Sequence, residues 1–176
     1  GFFHNNIFWN KEHTAKMVEI YRRRYESYGH GQADQAIVGL GGQVFIGATE
    51  EEAKETFRPY FDNAPVYGHG PSMEEFTDMT PLTVGTVEQV IDRTMEFADW
   101  VGDYQRQLFL IDHAGLPLEM VLEQIEILGT QVVPELRTRM EARRPDHVPS
   151  DPPTHASLKN TPDSPHFKVR PVEEEA

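Results

Sequence analysis

Two neighbouring side chains that can exchange protons follow an apolar segment in the second half of the chain. Residues 107–111 read Gln-Leu-Phe-Leu-Ile, and Asp112 and His113 come directly after them. An apolar segment of this length without alternation is typical of a strand covered on both faces, as in parallel sheets. Ligands of parallel α/β folds bind beyond the carboxyl ends of the strands. The sequence therefore predicts that Asp112 and His113 lie at a ligand-binding edge, where histidine can exchange protons near neutral pH.

Three other patterns resemble binding sites, but each has a structural explanation. The glycines of residues 39–42 are followed by more strand, so they match neither the dinucleotide fingerprint nor the phosphate loop. The glutamates of residues 50–52 suit the first turn of a helix, where acidic side chains meet the positive end of the helix dipole. The arginines of residues 22–24 suit a solvated helix face. We therefore predict no metal site and no phosphate loop in this chain.

The elements that position Asp112 and His113 are indicated by capping residues and apolar periodicity. Thr86 with Gln89 forms a capping box, and Gly102 suits the position after a helix end. Thr49 caps another helix in the same way, and Pro59 is expected to end or kink it. The predicted strands lie around residues 7–9, over 36–46 and over 107–111. Helices are predicted over 12–28, from 50, over 87–101 and from Pro117, each following a strand or the excursion. The excursion covers residues 62–82 and contains a short helix at 72–78.

The last predicted helix carries an apolar stripe that is expected to face the core. The stripe consists of Leu118, Val121, Leu122, Ile125 and Leu128. Its members recur at the three-to-four spacing of one helix face.

Composition excludes several classes of function. The 29 acidic and 16 basic residues give a net charge of −13, which argues against general binding to nucleic acid or to an anionic membrane. The chain contains no cysteine, so it has neither a disulfide framework nor a thiolate site, and we expect a cytoplasmic protein. No run of about 18 apolar residues is present for a membrane span.

The order of elements predicts three β/α units in series, with parallel strands. A sheet of three parallel strands has two open edges and little cover. We therefore expect the α/β fold of the last three β/α units of a (β/α)8 TIM barrel, a fold of about 250 residues. The start at Gly1 with Phe2 and Phe3 also favours a fragment. Residues 1–144 are assigned to the barrel, and the proline-rich residues 145–176 to a flexible, disordered tail.

Three segments in this order resemble luciferase-like flavin monooxygenases. Residues 84–91 read Val-Gly-Thr-Val-Glu-Gln-Val-Ile, residues 108–117 read Leu-Phe-Leu-Ile-Asp-His-Ala-Gly-Leu-Pro, and residues 125–136 read Ile-Glu-Ile-Leu-Gly-Thr-Gln-Val-Val-Pro-Glu-Leu. Upstream, residues 44–53 resemble strand seven of that family and the acidic helix start that follows it. The segment 7–9, with its helix, resembles strand six. The resemblance covers roughly residues 1 to 140.

The resemblance implies a barrel that binds reduced FMN, or in one branch a deazaflavin, and oxidises a small organic substrate with oxygen. A separate flavin reductase supplies reduced FMN, and homodimers or heterodimers are possible partners. Most flavin-phosphate and catalytic residues of the family lie on strands that precede this chain. Trp9 corresponds to an aromatic position beside the flavin ring, and Asn10 is a weaker candidate for cofactor binding. His113 is the candidate catalytic residue, and Asp112 and His4 are candidates for substrate binding.

Two alternatives stay open beside the monooxygenase. One is a non-catalytic barrel subunit that stabilises a partner by burying its helices. The other is a deazaflavin-dependent oxidoreductase. An unrelated TIM-barrel hydrolase is disfavoured because the sequence shows no metal or nucleophile constellation.

Overall fold

The computed structural model describes residues 1–67 and 70–148, which form a parallel sheet with helices on both faces. The strands are β1 (Phe2–His4), β2 (Val38–Ile46), β3 (Leu82–Gly85) and β4 (Arg106–Leu110). The helices are α1 (Lys11–Ser27), α2 (Glu50–Asn63), α3 (Met73–Met79), α4 (Val87–Val101), α5 (Leu118–Ile127) and α6 (Val133–Arg143). A π-helical segment, Leu128–Val132, joins α5 to α6. No helix in the described part of the chain is long and apolar enough to cross a membrane.

Strand β2 is the centre of the sheet, since it pairs in parallel with each of the other three strands. Its first residues pair with β1, its last residues pair with β3, and residues 39–43 pair with β4. All nine residues of β2 are buried. The prediction of a parallel strand over residues 36–46 is thus confirmed for Val38–Ile46.

Successive side chains of β2 point to opposite faces of the sheet and join different parts of the core. Val44 and Ile46 pack with residues of α4 and α6. Phe45 packs instead with Phe57 and Phe61 of α2 and with residues of α3. The central strand β2 is therefore covered on both sides. The expectation of a strand covered on both faces over residues 107–111 is wrong, because no residue of β4 is buried and Leu108 is 49% exposed.

The helix ends that the sequence marks are found where they were expected. The Thr86 side chain accepts from the Gln89 amide, and Gly102 ends α4 with a φ of 75°. Thr49 caps α2. Pro59 lies inside α2, which continues to Asn63, so it does not end the helix, and the alternative that it kinks the helix stays a prediction.

The prediction of three strands is wrong, because β3 lies between the expected excursion over residues 62–82 and the Thr86 cap, where the sequence predicts no strand. Strand β3 has only four residues and leads into the Thr86 cap without a loop. A Cβ on Gly85 would collide with the Gln89 side chain, so glycine permits this close junction of strand and helix. The first strand is also Phe2–His4 rather than residues 7–9.

Helix α5 is rotated relative to the expected orientation. Three of the residues expected to face the core, Leu118, Leu122 and Ile125, are at least half exposed, whereas Gln124 is buried. Leu128 is buried as expected. The reason is that Gln124 bonds to the backbone of β2, which turns the three apolar residues outward.

The predicted tail is described only at its start. Val148 is buried, and the His147 ring lies 2.6 Å from Asp34. The remaining tail residues, 149–176, lie outside the described residues.

Candidate functional site

His113 lies just beyond the carboxyl end of β4, at the edge of the sheet that the sequence predicts for a ligand. Its Nε2 is 3.4 Å from the carbonyl oxygen of Val44 in β2, and its Nδ1 is 2.9 Å from the hydroxyl of Tyr67. A carbonyl can only accept, so Nε2 carries the proton and Nδ1 accepts from the Tyr67 hydroxyl. Both ring nitrogens therefore have partners that hold one tautomer.

Burial keeps His113 neutral. It lowers the pKa of His113 to about 4, against smaller opposing effects from the Val44 carbonyl and from Asp112. The ring of Phe57 lies 5.1 Å from the imidazole and forms part of this apolar surrounding. At neutral pH His113 is thus a hydrogen-bonding group rather than a cationic acid.

Tyr67 comes from the segment between α2 and α3 and is almost fully buried among aromatic rings. Its ring stacks on Phe61 at 4.6 Å and meets Phe76 edge-on at 5.0 Å. Burial raises the pKa of the Tyr67 hydroxyl. This hydroxyl therefore stays protonated and remains a donor to His113.

Gln43 completes what we call the polar cluster, namely Gln43, Tyr67 and His113. It is fully buried in β2, in register with Leu110 of β4 and Leu82 of β3. Its amide adjoins the Tyr67 hydroxyl and limits the rise of the pKa of Tyr67. The contact does not reach hydrogen-bond geometry, and neither amide atom of Gln43 has a partner in the described part of the chain.

A cleft of ≈ 540 Å³ leads from the surface to His113. Pro65 and Val66, which precede Tyr67, form part of its wall, and Ala114 and Gly115 form another part. Asp112 is exposed beside His113. The arrangement can therefore offer a small molecule an imidazole, with a carboxylate nearby and apolar walls.

The other candidate residues lie around the start of α1 and form a second group. The Trp9 ring is half exposed and stacks on His13 at 4.3 Å. The Asn10 side chain accepts from the His13 amide and caps α1. His4 lies 5.6 Å from the His13 ring, and burial, followed by His13, lowers the pKa of His4. The structure thus brings Trp9, Asn10 and His4 together through His13, separately from the contacts of His113.

Sequence reasoning missed Gln43 and Tyr67. A signal for Gln43 was available, because it is the one polar side chain in the segment Val-Gly-Leu-Gly-Gly-Gln-Val-Phe-Ile. No comparable signal marks Tyr67, which reaches His113 from a loop 46 residues away in the sequence.

A second cleft, of ≈ 510 Å³, lies at the carboxyl ends of β2 and β3. Gln124 is buried in its wall, and its amide bonds to both backbone groups of Ile46, at 2.7 Å and 2.8 Å. Glu52 and Glu88 also line this cleft. Here the buried amide serves to join α5 to the sheet.

Comparison with known proteins identifies one matching family and several solved structures with a similar fold. The family model for luciferase-like monooxygenases matches residues 1–104. No curated protein gives a significant match to the chain.

Among solved structures, the monooxygenase RslO1 from Streptomyces bottropensis matches 77% of the chain with a TM-score of 0.62 and 14% identity. A riboflavin lyase, solved with modified FMN and its substrate riboflavin, matches 86% with a TM-score of 0.51 and 17% identity. A long-chain alkane monooxygenase matches 78% with a TM-score of 0.51 and 20% identity. The chain spans 41%, 40% and 36% of these structures, respectively.

Proposed function

The chain belongs to the luciferase-like monooxygenase family, and from this premise we propose that it is part of a flavin-dependent monooxygenase. Such an oxidoreductase oxidises a small organic substrate with reduced flavin and oxygen. The observation that carries the proposal is the polar cluster near the carboxyl ends of β2 and β4, where the Tyr67 hydroxyl bonds to His113 and adjoins Gln43, whose amide has no hydrogen-bond partner among the described residues. This is the edge at which parallel α/β folds bind their ligands.

The residues of this edge fit a flavin ring in their chemistry. Phe57, Phe61 and Tyr67 form a buried aromatic layer behind this edge, and the Gln43 amide beside Tyr67 has no hydrogen-bond partner among the described residues. When bound, reduced FMN supplies the electrons that oxygen needs. A deazaflavin is the alternative cofactor, because the same apolar walls suit its ring.

The chain's own side chains bind and orient in this proposal. His113 is neutral and held in one tautomer, and a substrate would hydrogen-bond to it by replacing the Tyr67 hydroxyl at Nδ1, since Nε2 is directed at the Val44 carbonyl. Asp112 and His4 are assigned to substrate binding. Trp9 offers a half-exposed ring face for the flavin, while Asn10 already uses its side-chain oxygen to cap α1.

We further propose that this chain is the carboxy-terminal portion of a (β/α)8 barrel. The chain spans about two fifths of the solved structures that it matches, which supports the proposal. The flavin-phosphate site then lies on strands that precede those described here. A flavin reductase would deliver reduced FMN to this protein in the cytoplasm.

The test is a titration of FMN under reducing conditions, followed by flavin fluorescence. We expect saturable binding by the longest natural form of the protein and much weaker binding by residues 1–176. Absence of binding by both would contradict the FMN proposal. The same titration with a deazaflavin then decides between the two cofactors.

A second candidate function, a non-catalytic barrel subunit, is favoured by the outer face of α5. Leu118, Leu122 and Ile125 are 71%, 55% and 50% exposed and lie on adjacent turns of the helix. Such a stripe suits the surface of a homodimer or heterodimer. Sedimentation of the wild type and of Leu122→Lys tests this role, and an unchanged monomer in both would contradict it.

A further inference from the structure

Gln43 has a buried side chain whose hydrogen bonds are not made. It is 0% exposed, and both Nε2 and Oε1 lack partners in the described part of the chain. Buried amides are normally paired, because an unmade hydrogen bond in an apolar interior is unfavourable. Gln124, which is 2% exposed, follows this rule, since both its amide atoms bond to Ile46.

A second unpaired donor lies on the same face of β2. Side chains two residues apart on a strand share a face, so position 41 lies beside Gln43. The Asn6 side chain covers Gly41: its Oδ1 accepts from the Gly41 amide at 2.7 Å. Asn6 is fully buried as well, and its Nδ2 has no partner among the described residues. Gln43 and Asn6 are therefore two buried amide side chains with unpaired hydrogen-bond donors among the described residues, and they lie at neighbouring positions on one face of β2.

We propose that the Gln43 side chain, with Asn6 beside it, is a binding edge for a planar group that carries a hydrogen-bond donor next to an acceptor. A glutamine amide with both atoms free is complementary to such a pair, as found in imides, lactams and primary amides. This inference rests on the proposed function for the identity of the ligand. Within it, the group is either the pyrimidine edge of the flavin or an amide of the substrate.

Tyr67 controls access to this edge. It adjoins Gln43 and is itself 3% exposed, while Val66, before it in the chain, is 60% exposed and lines the cleft that reaches His113. For a ligand from this cleft to reach Gln43, the Tyr67 ring must move away and its hydrogen bond to His113 must break. The hydrogen bonds of Gln43 are then made to the ligand.

The first experiment compares the same substitution at the two buried glutamines of the chain. Gln43→Met and Gln124→Met each keep the length of the side chain and remove both polar atoms. We expect Gln43→Met to leave the melting temperature unchanged or to raise it by roughly 2–4 °C, and Gln124→Met to lower it. A decrease in Gln43→Met as large as that in Gln124→Met would overturn the proposal, because it would show that Gln43 is paired within the folded chain.

The second experiment uses two pairs of probes that differ by one methyl group. Lumiflavin and N3-methyllumiflavin stand for the flavin, and 2-piperidone and N-methyl-2-piperidone stand for a substrate amide. Each is titrated into the wild type and Gln43→Met, and the shift of the melting temperature is measured. We expect methylation to weaken binding to the wild type at least fivefold in one pair and to have no effect in Gln43→Met.

The pair of probes in which methylation weakens binding shows whether the group bound by Gln43 belongs to a flavin or to a substrate amide. Equal binding of methylated and unmethylated probes in both pairs, or no binding of any probe to the wild type, would overturn the proposal. A loss confined to the piperidone pair would keep the proposal while counting against a flavin at this edge. The failure of the proposed function is therefore distinguishable from the failure of this inference.

Discussion

Gln124 and Gln43 are both buried beside β2, but they differ in what surrounds their amide groups. Gln124 faces the end of the strand, where the amide and carbonyl of Ile46 have no strand partner of their own, and it bonds to both. Gln43 lies three residues earlier, where β3 and β4 flank the strand. The backbone there is already paired, and among the described residues the Gln43 amide has only the Tyr67 hydroxyl beside it, without a hydrogen bond. The same residue type thus joins a helix to the sheet at one position and leaves its amide without such a role at the other.

The largest expected effect is at Gln124. Gln124→Met leaves the amide and the carbonyl of Ile46 buried and unpaired, which costs roughly 1–3 kcal/mol for each group. We therefore expect a clear fall in the free energy of unfolding, measured by urea denaturation. Gln131→Met is the matched control, because Gln131 lines the same cleft but is exposed. If Gln124→Met and Gln131→Met have the same free energy of unfolding, the hydrogen bonds of Gln124 do not stabilise the fold, and Gln124 then does not differ from Gln43.

The next effect is a dependence of stability on pH that comes from His113. The unfolded histidine binds a proton near its ordinary pKa of 6.5, whereas burial lowers the pKa of the folded residue to about 4. Stability is therefore fully present above pH 6.5 and falls as the pH is lowered from 6.5 to 4, by at most about 1.4 kcal/mol per pH unit. Urea denaturation of the wild type and His113→Gln across this range measures the difference.

The pKa of His4 is lowered as well, so it contributes in the same direction. His4→Gln is the control that separates the two histidines. A profile of His113→Gln that coincides with that of the wild type would show that His113 is solvated, and the polar cluster would then not be a buried site.

A smaller effect is expected at Tyr67. Tyr67→Phe keeps the ring stacked on Phe61 and removes the hydroxyl that donates to Nδ1 of His113. We expect a loss of about 0.5–1.5 kcal/mol and a change in the ¹⁵N chemical shift of Nδ1. Tyr28→Phe, at an exposed position, should change neither. An unchanged Nδ1 signal in Tyr67→Phe would mean that the hydroxyl does not fix the tautomer.

The smallest effect is expected on the outer face of α5, opposite Gln124. Leu118 is 71% exposed, so Leu118→Ser should change the stability of the isolated chain by no more than about 0.5 kcal/mol. Thermal denaturation at low and high protein concentration measures this. A larger loss that grows with concentration would show that a second copy covers the stripe.

Local signals predict much of the fold because they act over a few residues. The Thr86 and Thr49 caps, the Gly102 helix end and the continuous apolar run of β2 all depend on near neighbours, and each is found as expected. Strand β3 escaped detection because it is short and joins directly to the Thr86 cap. The orientation of α5 escaped detection because the apolar stripe of the helix is the stronger periodic signal in the sequence. In the structure, the two hydrogen bonds from Gln124 to Ile46 determine which side of α5 faces the sheet.

The candidate site was predicted in part. The apolar run before Asp112 and His113 correctly predicts that both lie at the carboxyl end of a parallel strand. The sequence cannot show that His113 is neutral, because its partners are Val44 and Tyr67, which lie 69 and 46 residues away. The roles proposed for Trp9, Asn10 and His4 stay predictions.

The sequence by itself determined the helix ends, the parallel class of the sheet and the position of His113 beyond the carboxyl end of β4, since these depend on local chemistry and on strand order. Only the tertiary structure decided which buried glutamine is paired. Gln124 meets Ile46 across 78 residues, whereas Gln43 lies between two paired strands and its amide makes no hydrogen bond within the part of the chain that the structure describes. Hydrogen bonds between distant residues depend on the packed geometry, and periodicity along the chain carries no information about them.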